Sequence, residues 1–309
     1  MHLIRHLHRQ NTLKKGVALT IGNFDGVHLG HQSILKHLTA YAKQHDLTTV
    51  VAIFEPQPKE FFQGQHAPLR ISTLTDKLAL FEQAGIHQVV LLPFSKPFAS
   101  LSPQEFIDQY LLHHLNTRYL LVGDDFRFGF GRTGDVATLQ SVAVSKQFKV
   151  ETVEMILTDQ KRISSSSIRE NILAANFPEA NRLLGREFMI SGRVVHGNAL
   201  GRTLGFPTAN FWLKRQSFPL EGIFAAQVHG LSDKPLPGAA YIGYRPVIKG
   251  KVPILEVNIL DFDQDIYGKR LSVELLSKLR NDKPIDGLDA LKQQIASDVE
   301  AIRDYFQAL

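Results

Sequence analysis

Strand-like and helix-like segments alternate along the first 184 residues of this 309-residue chain, and beyond Gly185 the alternation stops. Val17–Ile21, Thr48–Phe54, Val89–Leu92 and Tyr119–Val122 read as strands, and the continuous apolar run Thr48–Phe54 suits a strand covered on both faces. Gln32–Gln44 sets Ile34, Leu35, Leu38 and Ala42 at the spacing of one helix face. Thr75–Ala84, Asp135–Gln147 and Ser165–Ala175 are predicted as helices. So is Ser102–Leu115, with Ser102 at the cap and Pro103 in the first position. Strands that alternate with helices need crossovers, which produce a parallel, doubly wound sheet. After Gly185 come five strand-like runs separated by turn residues: Phe188–Val195, Phe224–Val228, Ala239–Gly243, Ile254–Phe262 and Leu271–Leu276. Helical periodicity returns only at Leu288–Phe306, so this part is predicted as a small β-barrel with a terminal helix. The boundary is placed at Gly185, giving domains 1–184 and 185–309, with Pro178–Leu184 as a short linking helix.

Composition narrows the function classes. At 44% hydrophobic and 21% charged residues, the chain can fill a globular core. The absence of cysteine excludes disulfides and thiolate metal sites, and fits a reducing, cytoplasmic location. Met1–Lys15 alternates basic and apolar residues without a signal-peptide core. No run approaches the roughly 20 apolar residues of a membrane span, so a soluble protein is expected. The formal charge of 35 − 30 = +5 suits polyphosphate substrates. It is scattered rather than blocked, so no nucleic-acid partner is expected.

The strand at Val17–Ile21 runs into Gly22-Asn23-Phe24-Asp25-Gly26-Val27-His28-Leu29-Gly30-His31 and then into the first predicted helix. Gly22, Gly26 and Gly30 let the backbone turn tightly and approach a ligand. The helix start offers free N–H groups and the positive end of its dipole, a seat for phosphate. His28 and His31, three apart, can face one ligand and stabilise charge on a transferring phosphoryl group. A zinc centre would need a third ligand, and none is suggested nearby. A second block, Ile163-Ser164-Ser165-Ser166-Ser167-Ile168-Arg169, puts four hydroxyls at a helix start and a charged donor one turn later.

The first loop resembles the HxGH signature of the nucleotidyltransferase superfamily, and class I aminoacyl-tRNA synthetases carry a related motif. The serine block resembles the ISSTxIR segment of bacterial FAD synthetases, with Ser166 at the threonine position. The Lys-Met-Ser-Lys-Ser-type loop of the synthetases is absent. Val122-Gly123-Asp124-Asp125-Phe126-Arg127-Phe128-Gly129 is similar to that family's GxDFRFG element, and Phe54-Glu55-Pro56-Gln57-Pro58 resembles its FxPxP loop, with Gln57 where many members have histidine. The resemblance implies a Rossmann-like nucleotidyltransferase domain in which His28 and His31 are catalytic. Gly22, Phe24, Gly30, Asp125, Phe126, Arg127, Phe128, Ser164, Ser165 and Arg169 would then border the flavin and ATP pockets. Aromatic rings such as those of Phe126 and Phe128 can stack on an isoalloxazine.

Gly197-Asn198-Ala199-Leu200-Gly201-Arg202-Thr203-Leu204-Gly205-Phe206-Pro207-Thr208-Ala209-Asn210 is the strongest single motif. It lacks the Gly-Lys-Ser/Thr ending of a P-loop. Gly201 and Gly205 allow backbone N–H groups to turn toward phosphate, and Arg202 supplies charge. If the chain is extended after Pro207, Thr208 and Asn210 point to one side. A hydroxyl and an amide oxygen suit a magnesium ion that bridges ATP phosphates. In Ile254–Phe262, alternation puts Leu255, Val257 and Ile259 on one face, and Glu256 with Asn258, Leu260 and Phe262 on the other.

The glycine-rich string resembles the GRxLGFPTAN signature of riboflavin kinases. The Glu256 strand resembles that family's LExHxxDF strand, with Asn258 in place of histidine. Lys278-Leu279-Arg280 resembles its KLR segment, and Ile242-Gly243-Tyr244-Arg245-Pro246 its IGxRP turn, followed here by Val247 rather than threonine. The resemblance implies that Glu256 is the base for the riboflavin 5′-hydroxyl and that Thr208 and Asn210 hold Mg2+, with Asn210 also catalytic. Gly197, Gly201, Arg202, Gly205 and Arg280 would then bind nucleotide or flavin.

Taken in order along the chain, these motifs resemble a bacterial bifunctional riboflavin kinase and FMN adenylyltransferase. The implied substrates are ATP, riboflavin and FMN, with Mg2+. Two rivals are weighed: an enzyme retaining only one activity, and an RNA-binding protein built on similar folds. The first is opposed by two intact motif sets, the second by the lack of a basic, aromatic-interleaved stripe.

Overall fold

The computed structural model describes residues 1–5, 7, 13, 15–153, 157–158, 161–197, 200–213, 220–247 and 250–309. Asn198 and Ala199 of the glycine-rich motif, and most of the basic N-terminal segment between Arg5 and Lys15, lie outside the described residues. The chain divides into two compact units, Met1–Ser165 and Ser166–Leu309.

The first unit is built on a six-stranded sheet of β1 (His2–Ile4), β2 (Val17–Ile21), β3 (Thr48–Glu55), β4 (Gln88–Pro93), β5 (Thr117–Gly123) and β6 (Lys149–Val153), in the order β1-β4-β3-β2-β5-β6. Every pairing in it is parallel. Apolar residues alternate between two cores, one on each face. Leu19, Val50, Ala52 and Leu120 meet Ile107, Leu111 and Leu139 on one side. Ala18, Val51, Ile53 and Leu121 meet Leu35, Leu38, Ala42 and Phe81 on the other. Helices therefore cover both faces, as the doubly wound reading requires. A two-residue hairpin, β7 (Leu157–Thr158) with β8 (Lys161–Arg162), follows the sheet.

The predicted helix Ser102–Leu115 is one α-helical turn, Pro103–Glu105, followed by wider π-helical turns over Phe106–His114. Ser102 caps it as expected, its Oγ accepting from the Glu105 N–H at 3.2 Å while Glu105 accepts from the Ser102 N–H at 2.8 Å. Two sheet edges had no sequence expectation. β1 is three residues long, and β6 reads Lys-Val-Glu-Thr-Val, whose alternating polarity belongs to an exposed edge.

The second unit holds a closed antiparallel barrel in the order β10-β13-β12-β11-β14-β9. Its strands are β9 (Met189–Val195), β10 (Ala209–Trp212), β11 (Gly222–His229), β12 (Leu236–Val247), β13 (Gly250–Ile259) and β14 (Arg270–Arg280). Ile190, Phe224, Ala240, Ile242, Leu255, Val257, Val273 and Leu275 are all buried. The helix Phe177–Leu184 packs Phe177 near Phe188 and Phe224, with ring centroids 6.4 and 6.1 Å apart, and so counts with the barrel. The terminal helix Leu288–Gln307 buries Val299 and Ile302 against Ile223, Ala225, Ala239 and Leu260 on the outside of the barrel. Two bidentate ion pairs fasten it. Arg280 donates to Asp298 at 2.8 and 2.6 Å, and Arg303 donates to Asp261 at 2.7 Å twice. Replacing Ile302 by Ala leaves a cavity under this helix, and the urea-unfolding transition of the barrel unit is expected to lose about 3 kcal/mol.

Candidate functional sites

In a doubly wound sheet, ligands sit beyond the carboxyl ends of the strands where the winding reverses. Here that point lies between β2 and β5. A cavity of about 290 Å³ opens there, lined by Thr20, Ile21 and Gly22 at the end of β2 and by Gly123, Asp124, Asp125 and Phe126 at the end of β5. His28, Gly30, His31, Phe24, Ser164 and Ser165 also line its wall, with apolar cover from Ile34, Val153 and Ile163. Nine of the residues singled out in the sequence thus meet at one opening: Gly22, Phe24, His28, Gly30, His31, Asp125, Phe126, Ser164 and Ser165.

The histidines are ordered by the helix they introduce. His28 is the N-cap of Leu29–Gln44, its Nδ1 accepting from the His31 N–H at 3.4 Å. The two rings stack with centroids 3.7 Å apart, and Phe24 lies 4.8 Å from His31. A side chain at Gly30 would begin 3.2 Å from the His28 ring, a tight contact that glycine avoids. Ser165 begins the helix Ser165–Leu173 and donates from Oγ to the Asp25 carbonyl at 2.9 Å. Arg169 follows one turn later on that helix.

The loop between Gly22 and His28 is strained: Phe24 and Val27 hold φ of 48° and 41°, and Gly26 holds 84°. Non-glycine residues in this region cost about 1–3 kcal/mol each unless their surroundings enforce them. The enforcement comes from the chain just before the helix Leu74–Gln83. The buried Asp25 carboxylate accepts the N–H groups of Ile71 at 2.9 Å and Ser72 at 3.1 Å, and Ser72 Oγ accepts the Gly26 N–H at 2.9 Å. Beside it, Arg70 makes paired bonds to Glu55 and Glu60, at 2.5 to 3.0 Å. Burial works against the Arg70 charge, but the two carboxylates hold its pKa above the ordinary arginine range. Glu60, Arg70, Ile71 and Ser72 belong to none of the sequence motifs, because the loop residues they support lie far along the chain and their spacing carries no local pattern.

Phe126 and Phe128 part company. Phe126 lines the cavity, while Phe128 is buried in the core beneath, 5.4 Å from Phe106 and bridged to Gly134 through backbone hydrogen bonds. Arg127 is exposed.

The second site forms on the outside of the barrel. β10 extends from Ala209, and strand register sets Asn210 opposite Glu256 of β13, which in turn lies opposite Tyr241 of β12. Directly opposed residues project to the same face. Leu255, Val257 and Ile259 are buried inside the barrel, so Glu256 and Asn258 point outward, half-buried, as the alternation predicts. Asn258 donates to the Pro207 carbonyl at 2.8 Å and so ties β13 to the Phe206–Asn210 segment. The Tyr241 hydroxyl donates to Asp282 at 2.9 Å; burial, that carboxylate and then Glu256 push its pKa up.

Two glycines make this packing feasible. The Asn210 amide lies 2.5 Å from where a Gly197 side chain would begin, and Thr208 Oγ1 lies 3.2 Å from the same point on Gly201. Gly205 turns the chain at φ 91°, with Arg202 exposed on the short helix Leu200–Thr203. Asn210 Nδ2 faces the Thr208 carbonyl at 3.4 Å, so its Oδ1 is directed elsewhere. Arg280, expected near flavin, has its guanidinium in the ion pair with Asp298 of the terminal helix. That pairing raises its pKa.

Comparison with known proteins places this chain in a family. A model described as FAD synthetase matches residues 10–167, and one described as riboflavin kinase matches residues 184–306. The bifunctional riboflavin kinase/FMN adenylyltransferase of Haemophilus influenzae is 44% identical over 308 residues, covering all of both chains. That of Escherichia coli K12 is also 44% identical, over 99% of this chain and 98% of the other. A crystal structure described as a macrolide-efflux protein from Streptococcus pneumoniae is similar across 98% of this chain and 99% of its own, with a TM-score of 0.81 and 32% identity. Among the described residues no helix is long and apolar enough to cross a membrane. Two family models in tandem and full-length relatives of one name make this chain a member of the bifunctional riboflavin kinase/FMN adenylyltransferase family, which forms FMN from riboflavin and FAD from FMN.

Proposed function

We propose that residues 1–184 carry the adenylyltransferase and residues 185–309 the kinase, each using its own ATP. The observation that supports the first half most strongly is the convergence of His28, His31, Ser164 and Ser165 on the cavity between β2 and β5. In this reading the FMN phosphate attacks the α-phosphorus of ATP and pyrophosphate leaves. The two imidazoles and the N–H groups of the helix start at Leu29 stabilise the charge that develops between them. Asp125, Phe126, Gly22, Phe24, Gly30 and Arg169 complete the nucleotide and flavin surfaces, and Arg127 and Phe128 support them. No covalent intermediate with the enzyme is needed. Catalysis rests on orientation and electrostatics.

For the kinase, the cross-strand pairing of Glu256 with Asn210 is the observation that carries the reading. Glu256 accepts the proton of the riboflavin 5′-hydroxyl as that oxygen attacks the γ-phosphorus of ATP. Gly197, Gly201, Arg202 and Gly205 shape the phosphate loop, and Arg280 braces the flavin side through the terminal helix. The donor set fits Mg2+: a hydroxyl at Thr208, packed against Gly201, and an amide oxygen at Asn210, packed against Gly197 where a Cβ would collide. When bound, the ion offsets phosphate charge, while Thr208 and Asn210 orient it. We place the enzyme in the cytoplasm, acting on small molecules without a nucleic-acid partner.

Glu256→Gln is expected to lower FMN formation by about 10²–10⁴-fold while conversion of supplied FMN to FAD is unchanged. His28→Ala with His31→Ala is expected to do the reverse, lowering FAD formation by at least about 10²-fold and leaving the kinase intact. Product analysis by chromatography reads both. Parallel loss of both activities in either folded variant contradicts the division.

A further inference from the structure

The helix Leu74–Gln83 carries a fully buried lysine behind the Gly22–His31 loop, and nothing in the transfer chemistry assigned above employs it. Lys77 Nζ donates to the Asn23 carbonyl at 3.1 Å. A buried ammonium is costly unless paired and hydrogen-bonded. Burial lowers the Lys77 pKa, and Asp25 is foremost among the charges that oppose this. An apolar side chain of similar length would fill the space without that cost. It would supply neither the donor to Asn23 nor the charge beside Asp25.

The surrounding contacts give this hold a direction. Asn23 directly precedes Phe24, one of the residues at positive φ. The Phe24 ring stands edge-on to Phe81, 5.5 Å away and one turn beyond Lys77 on the same helix. Its other neighbour is the His31 ring, at 4.8 Å. Asp25 and Gly26 are held by Ile71 and Ser72 in the segment leading into the helix. The stretch from Ile71 to Phe81 thus grips four consecutive loop residues, Asn23 to Gly26, just ahead of the two histidines.

We propose that Lys77 is a positioning residue for adenylyl transfer: by fixing the Asn23 carbonyl it sets Phe24 against His31 and so orients the imidazoles in the cavity. The proposal rests on the assignment of His31 to transition-state stabilisation. Lys77 touches no reacting atom; its effect passes through the loop.

The test is a double-variant cycle on the full chain with Lys77→Met, His31→Ala and the pair, measuring kcat and KM for FAD formation from FMN and ATP. Lys77→Met is expected to lower kcat about tenfold or more, with both KM values within about threefold of the parent. The pair is expected to be no more than about twofold slower than His31→Ala alone, because both changes disable one device. Partial unfolding would multiply with the His31→Ala loss instead of merging with it, and riboflavin kinase activity in the same samples serves as an internal control. Unchanged kcat in Lys77→Met, or losses that multiply in the pair, overturns the proposal. Full activity in His31→Ala overturns the histidine assignment, a separate outcome. Should Lys77→Met fail to fold, Ser72→Ala takes its place in the cycle, since it removes the acceptor of the Gly26 N–H from the same grip. A loss of about threefold that merges with His31→Ala is then expected, and a multiplying or absent loss overturns the proposal.

Discussion

Asn210 faces Glu256 across β10 and β13, and β2 lies beside β5 in the parallel sheet; both sites are consequences of backbone hydrogen-bond register. A one-residue slip in β13 would turn Glu256 into the barrel and Val257 out to solvent. The buried Leu255, Val257 and Ile259 forbid that slip, so the apolar interior fixes the polar exterior. In the sheet, two-sided burial keeps β2, β3, β4 and β5 off the edges, and their order opens a cleft where the winding reverses.

In the proposed assignment the two sites meet the same difficulty, phosphate binding by close backbone approach, with different supports. The first uses a strained loop whose positive φ values are enforced from behind by Asp25, Ser72 and Lys77. The second uses glycines to make room for the Asn210 amide and the Thr208 hydroxyl, and uses Asn258 to tie the loop to the strand bearing Glu256. Stored strain in one and close packing in the other serve one end: groups held in place before the substrate arrives, so that little reorganisation is left to the reaction step.

Much of this was legible in the sequence. The continuous apolar run around Val50 announced a strand covered on both faces, the closely spaced strands after Gly185 announced a barrel, and the alternation around Val257 announced which way Glu256 faces. The motif residues were legible because each lies within a short stretch of chain. Lys77 was not legible, since its partner at Asn23 is 54 residues away and a lysine in an amphipathic helix ordinarily faces water. Arg280 was legible as a motif residue but its ion pair with Asp298 was not, because that partner lies on a helix whose docking depends on the finished barrel. Phe126 and Phe128 look equivalent in sequence; the bridge between Phe128 and Gly134 sends one ring into the core and leaves the other at the cavity. β1 and β6 escaped notice because edge strands need only one apolar face or very few residues.

Whether one chain performs two successive ATP-dependent transfers is tested most directly by a time course of the purified, unmodified protein with riboflavin, ATP and Mg2+, resolving flavins by chromatography. FMN is expected to appear first and FAD to follow, with ADP and pyrophosphate formed in step with them. FMN that accumulates without FAD, or FAD formed from supplied FMN but never from riboflavin, would contradict it.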